Sequence, residues 1–229
     1  DRDNTLQYPH QTSWGVSTRL IGGIIMTHSD DNGLNLPPAI APIQVIVLPI
    51  AMHKEGVLEK AQAVTDRLRT ICRAKMDASD NSPGWKFAEY EMKGVPLRLE
   101  LGPRDIEQNQ CVIVSRCDRE KTVVPLDQLE EAVPMLLAAA RDKLYARALK
   151  NRERRTHSCR TMEELKAAIE REDCFIKAMW CGEEACEDRL KEEALISSRC
   201  IPFEQEPLSD ACVCCGRKAQ AMVLWGKAY

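Results

Sequence analysis

Four residues separate Cys181 from Cys186, two separate Cys212 from Cys215, and twenty-five lie between the two pairs. Two short-spaced cysteine pairs joined by a linker suit a tetrahedral four-thiolate metal site. Each pair clips one side of the ion, and the linker only has to bring the pairs together. Each pair also has a glycine beside one of its cysteines, in Cys181-Gly182 and Cys215-Gly216, where backbone N–H groups can approach a thiolate sulfur. Zinc in a structural role is the expected occupant, because four cysteines leave no open position for a catalytic water. Cys214 stands as the alternative to Cys215 as fourth ligand, although the two-residue gap favours Cys215. Cys72, Cys111, Cys117, Cys159, Cys174 and Cys200 read as core or solvent-facing thiols.

Eleven cysteines without a hydrophobic leader argue for a reducing compartment, hence the cytoplasm, and against a disulfide scaffold. A hydrophobic fraction of 44% with 29% charged residues describes an ordinary globular chain, and 229 residues suit one or two domains. The net charge of -3 carries no global nucleic-acid signature, so any such contact has to come from a local patch. No apolar run approaches the roughly 18 residues that suggest a membrane span. The chain starts at Asp1, and an apolar stretch of strand type follows closely. A C-terminal piece of a longer polypeptide is therefore expected.

Along the chain, VSTRLIGGIIMTH (16–28) is rich in β-branched residues and reads as a buried strand. The turn-forming stretch SDDNGLNLPPAIAP follows, and Pro37–Pro38 marks a natural domain boundary. IQVIVLPI (43–50) is a short strand-type run. Val57, Ala61, Val64, Leu68, Ile71 and Cys72 then recur at helical steps and predict an amphipathic helix from Glu55 to Met76. Leu97, Leu99 and Leu101 alternate with Arg98 and Glu100, and Cys111–Val114 is a second apolar run, so both predict strands. Leu129, Val133, Leu136, Leu137, Ala140 and Leu144 predict a helix between Leu126 and Leu149. This is an α/β domain with a mixed sheet flanked by helices. KNRERR (150–155) reads as a basic hinge. Beyond it, a helix at Met162–Glu170, a strand at Phe175–Trp180, a helix opening on the first cysteine pair, and strands near Cys200 and at Ala221–Trp225 outline a small α+β unit. A unit of that size is marginal by itself, and a structural metal offsets the deficit. The predicted domains are 1–38, 39–150 and 151–229.

Two further features carry chemistry. Arg19 opens the apolar run LIGGIIM, where an arginine serves either as a solvated strand end or as a bidentate phosphate clamp. The stretch GWKFAEYEMKGVPLRLELGPRD (84–105) mixes Trp85, Phe87 and Tyr90 with Lys86, Lys93, Arg98 and Arg104. Interleaved aromatics and cations suit unpaired bases through stacking and phosphate contacts, and an amphipathic strand pair is the plainer reading.

These residues resemble a known family. TSWGVSTRLIGGIIMTH (12–28) followed by GLNLPP resembles motif 3 of class II aminoacyl-tRNA synthetases, as found in the archaeal/eukaryotic-like type of prolyl-tRNA synthetase. GWKF…GVPLRLELGPRD is similar to that family's anticodon-binding domain, and MWCGEEACE…SRCIPFE…CVCCG…KAY to its C-terminal zinc-binding domain. The resemblance implies that Arg19 contacts the phosphates of ATP and that Trp14, Ser17, Thr18 and His28 line the proline and adenosine sites. It implies base reading by Phe87, Glu91, Arg98, Arg104 and Lys121. Proline's anticodon ends in two guanines, which arginine can bind at O6 and N7 and glutamate at N1 and N2. It also implies a terminal carboxylate, on Tyr229, that reaches toward the active site.

The full-length enzyme implied would form prolyl-adenylate from proline and ATP with Mg2+ and transfer proline to tRNA(Pro), as a homodimer away from membranes. Motif 1, which builds the dimer, and motif 2, which binds the α-phosphate, do not appear in this chain. The expectation is a chain that binds the anticodon and does not aminoacylate alone. The competing reading is a zinc-stabilised protein-interaction module without base recognition.

Overall fold

Val45, Ile46, Val47 and Leu48 are all fully buried, so the strand they form is covered on both faces. The structure, a computed structural model, describes residues 2–9 and 11–227; the implied role of Tyr229 lies outside them. Two compact units divide the chain, Asp1–Tyr145 and Ala146–Tyr229.

In the first unit, α1 (Arg19–His28) precedes the extended linker that leads to β1 (Val45–Pro49). Next come α2 (Val57–Arg69), β2 (Ala74–Met76), α3 (Pro83–Met92), β3 (Leu97–Leu101), α4 (Pro103–Glu107), β4 (Gln110–Ser115) and β5 (Lys121–Pro125). α5 (Leu129–Arg154) starts in this unit. The sheet runs β2-β1-β3-β4-β5, with β2, β1 and β3 parallel and the β3–β4 and β4–β5 pairs antiparallel. This is the mixed α/β sheet that the sequence predicts.

The two-residue period of strands decides what each face meets. Val45, Val47, Leu97, Leu99 and Leu101 pack with Ala61, Val64 and Leu68 of α2 and Leu129 and Val133 of α5. Ile46 and Leu48 point the other way, into a smaller cluster with Tyr90 and Phe87 of α3. Arg98 and Glu100 alternate with the buried leucines of β3 and pair in register with Ile46 and Leu48. They therefore share the α3 face.

Four expectations need correction. Residues Arg19–His28 form a helix rather than a buried strand, with Leu20, Ile21 and Ile24, Ile25 at helical steps and no residue of the helix buried. The β-branched content suggested a strand, but β propensity measures fit to a half-buried pleated surface, which this segment does not occupy. The helix read as Glu55–Met76 stops at Arg69. Arg73 then turns the chain by donating to the carbonyls of Ala41, Pro38 and Ala39, and residues 74–76 add a parallel edge strand. The stretch opening at 84 is helix α3 before it becomes strand β3. Pro83 occupies its first turn, and the Ser82 side chain accepts from the Trp85 N–H at 3.3 Å. The helix read as Leu126–Leu149 continues to Arg154, so KNRERR forms its solvated end.

The second unit contains β6 (Thr156–Ser158), α6 (Met162–Arg171), β7 (Phe175–Trp180), α7 (Glu184–Ala194), β8 (Ile196–Cys200) and β9 (Ala221–Lys227). Its sheet order is β6-β7-β9-β8, with β6–β7 parallel and the other pairs antiparallel. Leu165 of α6, Leu190 of α7 and Ile176, Val223 and Trp225 of the sheet make the core. Trp225 is fully buried and meets Trp180 edge to face at 6.3 Å.

Candidate nucleic-acid interface and metal centre

α3 crosses the sheet face that carries Arg98, and the space between them is a cavity of about 260 Å3. Phe87, Glu91, Arg98 and Lys121 all line it, together with Tyr90, Arg116 and Arg119. Four of the five predicted base readers thus meet in one pocket. Arg104 does not join them. It is exposed on α4, past the C-terminal end of β3, whereas the pocket includes Ser115, which pairs with Leu97 at the N-terminal end.

Arg98 is preset by two contacts. Its guanidinium lies 4.0 Å from the Phe87 ring centroid, and its Nε donates to Glu100 Oε1 at 2.9 Å. A stacked, paired fork keeps its remaining donors at a fixed angle. Arg119 Nη2 donates to the Glu91 carboxylate at 2.6 Å. Behind the pocket, Lys86 is nearly fully buried and donates to the Asp77 carbonyl at 3.0 Å, with the Asp77 carboxylate 3.7 Å away. Burial, and then the Asp77 charge and hydrogen bond, push the Tyr90 hydroxyl up to about 12, so Tyr90 is neutral in the pocket wall.

Sequence reasoning singled out Tyr90 among the aromatics of the 84–105 stretch but missed Arg116 and Arg119 altogether. Arg116 is 6% exposed. Its fork clamps Asp30 through Nη1–Oδ2 at 2.9 Å and Nη2–Oδ1 at 2.7 Å, and its Nε donates to the Glu91 carbonyl at 2.9 Å. The hydrogen bond from Arg116 holds the Asp30 carboxyl down from 3.8 to about 2. A depressed carboxyl contributes stability that is present above its ordinary pKa and lost as pH falls through the lowered one. We expect the protection of the Leu34 and Leu36 amides, which donate to the Met92 and Gly94 carbonyls, to fall between about pH 4 and pH 2. In Asp30→Asn, hydrogen exchange should show no such fall, while the β3 amides stay protected in both proteins.

The residues predicted to serve ATP and proline are not gathered into a site. Trp14 is 93% exposed, and Ser17, Thr18 and Arg19 are exposed beside it. Arg19 begins α1 and His28 ends it, about 14 Å apart at the rise of a helix.

In the second unit, Cys181 follows β7, Cys186 lies in the first turns of α7, and Cys212 and Cys215 flank a tight turn before β9. The Gly216 N–H closes that turn on the Cys212 carbonyl at 3.0 Å, and Gly216 has φ 71°. Gly182 likewise has a left-handed φ of 87°, which favours glycine after Cys181. The four Sγ atoms lie within 4.8 Å of one another, with Cys181–Cys186 at 3.6 Å and Cys215–Cys181 at 3.7 Å. A tetrahedron with metal–sulfur bonds of about 2.3 Å has edges of about 3.8 Å, so the donor set fits a metal ion of that kind. Cys214 is outside the set; its carbonyl accepts from Arg189. Cys181, Cys186 and Cys212 are buried and Cys215 is exposed. Arg217 donates from Nε to Cys215 Sγ at 3.4 Å and holds that thiol down to about 6, while burial pushes Cys186 up.

Known proteins resemble this chain in sequence and in fold. The family described as "Prolyl-tRNA synthetase, C-terminal" matches residues 162–229, and "Anticodon binding domain" matches residues 44–136. A protein named proline–tRNA ligase 2 from Bacillus thuringiensis is 57% identical over all of this chain, and a proline–tRNA ligase from Clostridium novyi is 56% identical. In both cases this chain covers 48% of the relative, so it spans about half the length of the curated relatives it matches. The crystal structure of prolyl-tRNA synthetase from Cryptosporidium parvum, complexed with L-proline and AMP, superposes with a TM-score of 0.90 at 36% identity. That match covers 97% of this chain and 48% of the other. In sequence and in fold, the chain belongs to the prolyl-tRNA synthetases, as their C-terminal region with the anticodon-binding domain.

Proposed function

We propose that this chain supplies anticodon recognition to a proline–tRNA ligase, a cytoplasmic enzyme that makes prolyl-adenylate from proline, ATP and Mg2+ and charges tRNA(Pro). One observation carries this reading: the pocket holding Phe87, Glu91, Arg98 and Lys121. It offers an aromatic ring stacked under a preset guanidinium plane, a carboxylate held by the exposed Arg119, and an ammonium at the rim. A guanine needs a π-surface, an acceptor for N1–H and N2–H, and a donor pair for O6 and N7. Arg104 has no part in this reading.

Within the whole enzyme, Arg19 would meet the ATP phosphates, with Trp14, Ser17, Thr18 and His28 toward proline and adenosine. Their exposure here agrees with a site whose other walls come from the rest of the longer relatives. We assign zinc to Cys181, Cys186, Cys212 and Cys215, where four thiolates would fix the loops structurally. The whole protein would be a homodimer. Among the described residues no helix is long and apolar enough to cross a membrane.

The test is the affinity of the chain for a proline tRNA transcript and for the same transcript with both anticodon guanines replaced. We expect affinity to fall at least tenfold on replacement, the scale of one lost bidentate guanine contact. Equal, salt-sensitive binding to both transcripts would favour a sequence-blind interaction module instead.

A further inference from the structure

Arg116 follows β4 directly, at a place where an arginine ordinarily faces solvent, yet it is among the few buried charged residues. Burying a guanidinium is costly unless its donors are paired. Here they are paired with two segments far apart in sequence. Nη1 and Nη2 hold both oxygens of Asp30, Nη2 also reaches the Gly33 carbonyl at 3.3 Å, and Nε takes the Glu91 carbonyl. Asp30 and Gly33 belong to the linker that leaves α1, and Glu91 to the last turn of α3. The same seam is laced by Leu34 N–H to Met92 O at 2.9 Å and Leu36 N–H to Gly94 O at 3.3 Å. Gly33 and Gly94 let the two backbones approach so closely that a Cβ on either would collide with main chain.

We infer that Arg116 is the positioning residue of the pocket, holding the Glu91 backbone where its carboxylate can meet a base and tying that wall to the Asp30–Leu36 linker. The inference rests on the anticodon reading above and extends it to a residue that does not touch the base. The charged groups facing the seam assign the roles. Arg119 is 60% exposed and pairs with the Glu91 side chain, so it can yield to an incoming base. Arg116 holds only the main chain of Glu91 and leaves the carboxylate to Arg119. Lysine cannot replace it, because a single ammonium cannot clamp two carboxylate oxygens and also reach the Glu91 carbonyl. A base seated against Glu91 therefore presses on a wall continuous with the linker that follows α1.

The experiment compares the wild-type chain with Arg116→Gln, Arg116→Lys, Asp30→Asn and Glu91→Gln. Each is titrated with a proline anticodon stem-loop and with the loop whose two guanines are replaced, and hydrogen exchange is followed at Leu34 and Leu36. We expect both Arg116 variants to narrow the preference for the guanine loop about tenfold. Their affinity for the replaced loop, set by phosphate contacts, should stay the same. Asp30→Asn keeps the Arg116–Glu91 bond, so it should retain the preference, whereas any protection that the guanine loop adds at Leu34 and Leu36 of the wild type should be lost. An unchanged preference in the Arg116 variants beside a lost one in Glu91→Gln would overturn the assignment. So would equal weakening toward both loops, which marks a general fold or charge effect. A wild type without preference removes the anticodon reading itself, and that outcome is visible before any variant is made. Should Arg116→Gln fail to fold, Arg116→Lys and Asp30→Asn decide the matter by the same criteria.

Discussion

Removing the metal from a zinc-loaded protein with a chelator at neutral pH is expected to unfold the second unit and leave the five-stranded sheet of the first intact. The four sulfur atoms converge from three separate places, the end of β7, the start of α7 and the turn before β9. Three of the thiols are buried, and without an ion they must face one another. Apparent binding free energies at such sites are about 10–16 kcal/mol, as large as the whole stability of a small domain. Trp180 packs against the cluster and stacks edge to face on buried Trp225, so near-ultraviolet circular dichroism reports the event directly. We expect that signal to collapse on chelation and return with added Zn2+. Cys186→Ala should mimic chelation, and Cys214→Ala should do nothing. A full spectrum from protein shown to be metal-free would refute the structural role.

The second large effect is expected for Arg98→Ala. Arg98 and Glu100 are each only 18% exposed in their side chains and satisfy each other on the α3 face of β3. Truncating the arginine deletes the donor fork meant for guanine and uncovers the Phe87 ring. It also leaves a half-buried carboxylate unpaired where an anionic ligand must arrive. We expect a loss of about 2–3 kcal/mol toward the proline anticodon loop, roughly thirtyfold to 160-fold in Kd. Adding Glu100→Ala should return part of it, and the returned part measures the repulsion rather than the base contact. A single variant that binds the guanine loop as tightly as wild type would remove Arg98 from recognition.

How much of this was legible in the sequence depended on how local each signal was. The cysteine cluster needed only the spacing of two pairs, and the structure gathers the Cys215 sulfur, rather than that of Cys214, with the other three. The alternation at 97–101 identified β3 and, by the same rule, put Arg98 and Glu100 on one face together. Nothing in that alternation revealed what covers the face. Trp85, Phe87 and Tyr90 lacked a clean helical step, and Ser82-Pro83 was the available sign that α3 starts there. α1 misled for the opposite reason: its isoleucines suggested a strand, while its register was helical throughout. Arg116 left no signal beyond a charge at the end of an apolar run, because its partners are 25 and 86 residues away. Long-range pairing of that kind is invisible to any local pattern.

The uneven burial of the four thiols has a kinetic corollary. Cys215 alone is exposed, with Arg217 beside it, while the other three sulfurs are enclosed. An electrophile or competing chelator arriving from water meets a single sulfur first, and the remaining three become reachable only after that vertex lets go. Four chemically identical ligands would then behave as one fast site followed by three slow ones, and the rate at which the unit would lose a bound ion would be set by the side chains around Cys215.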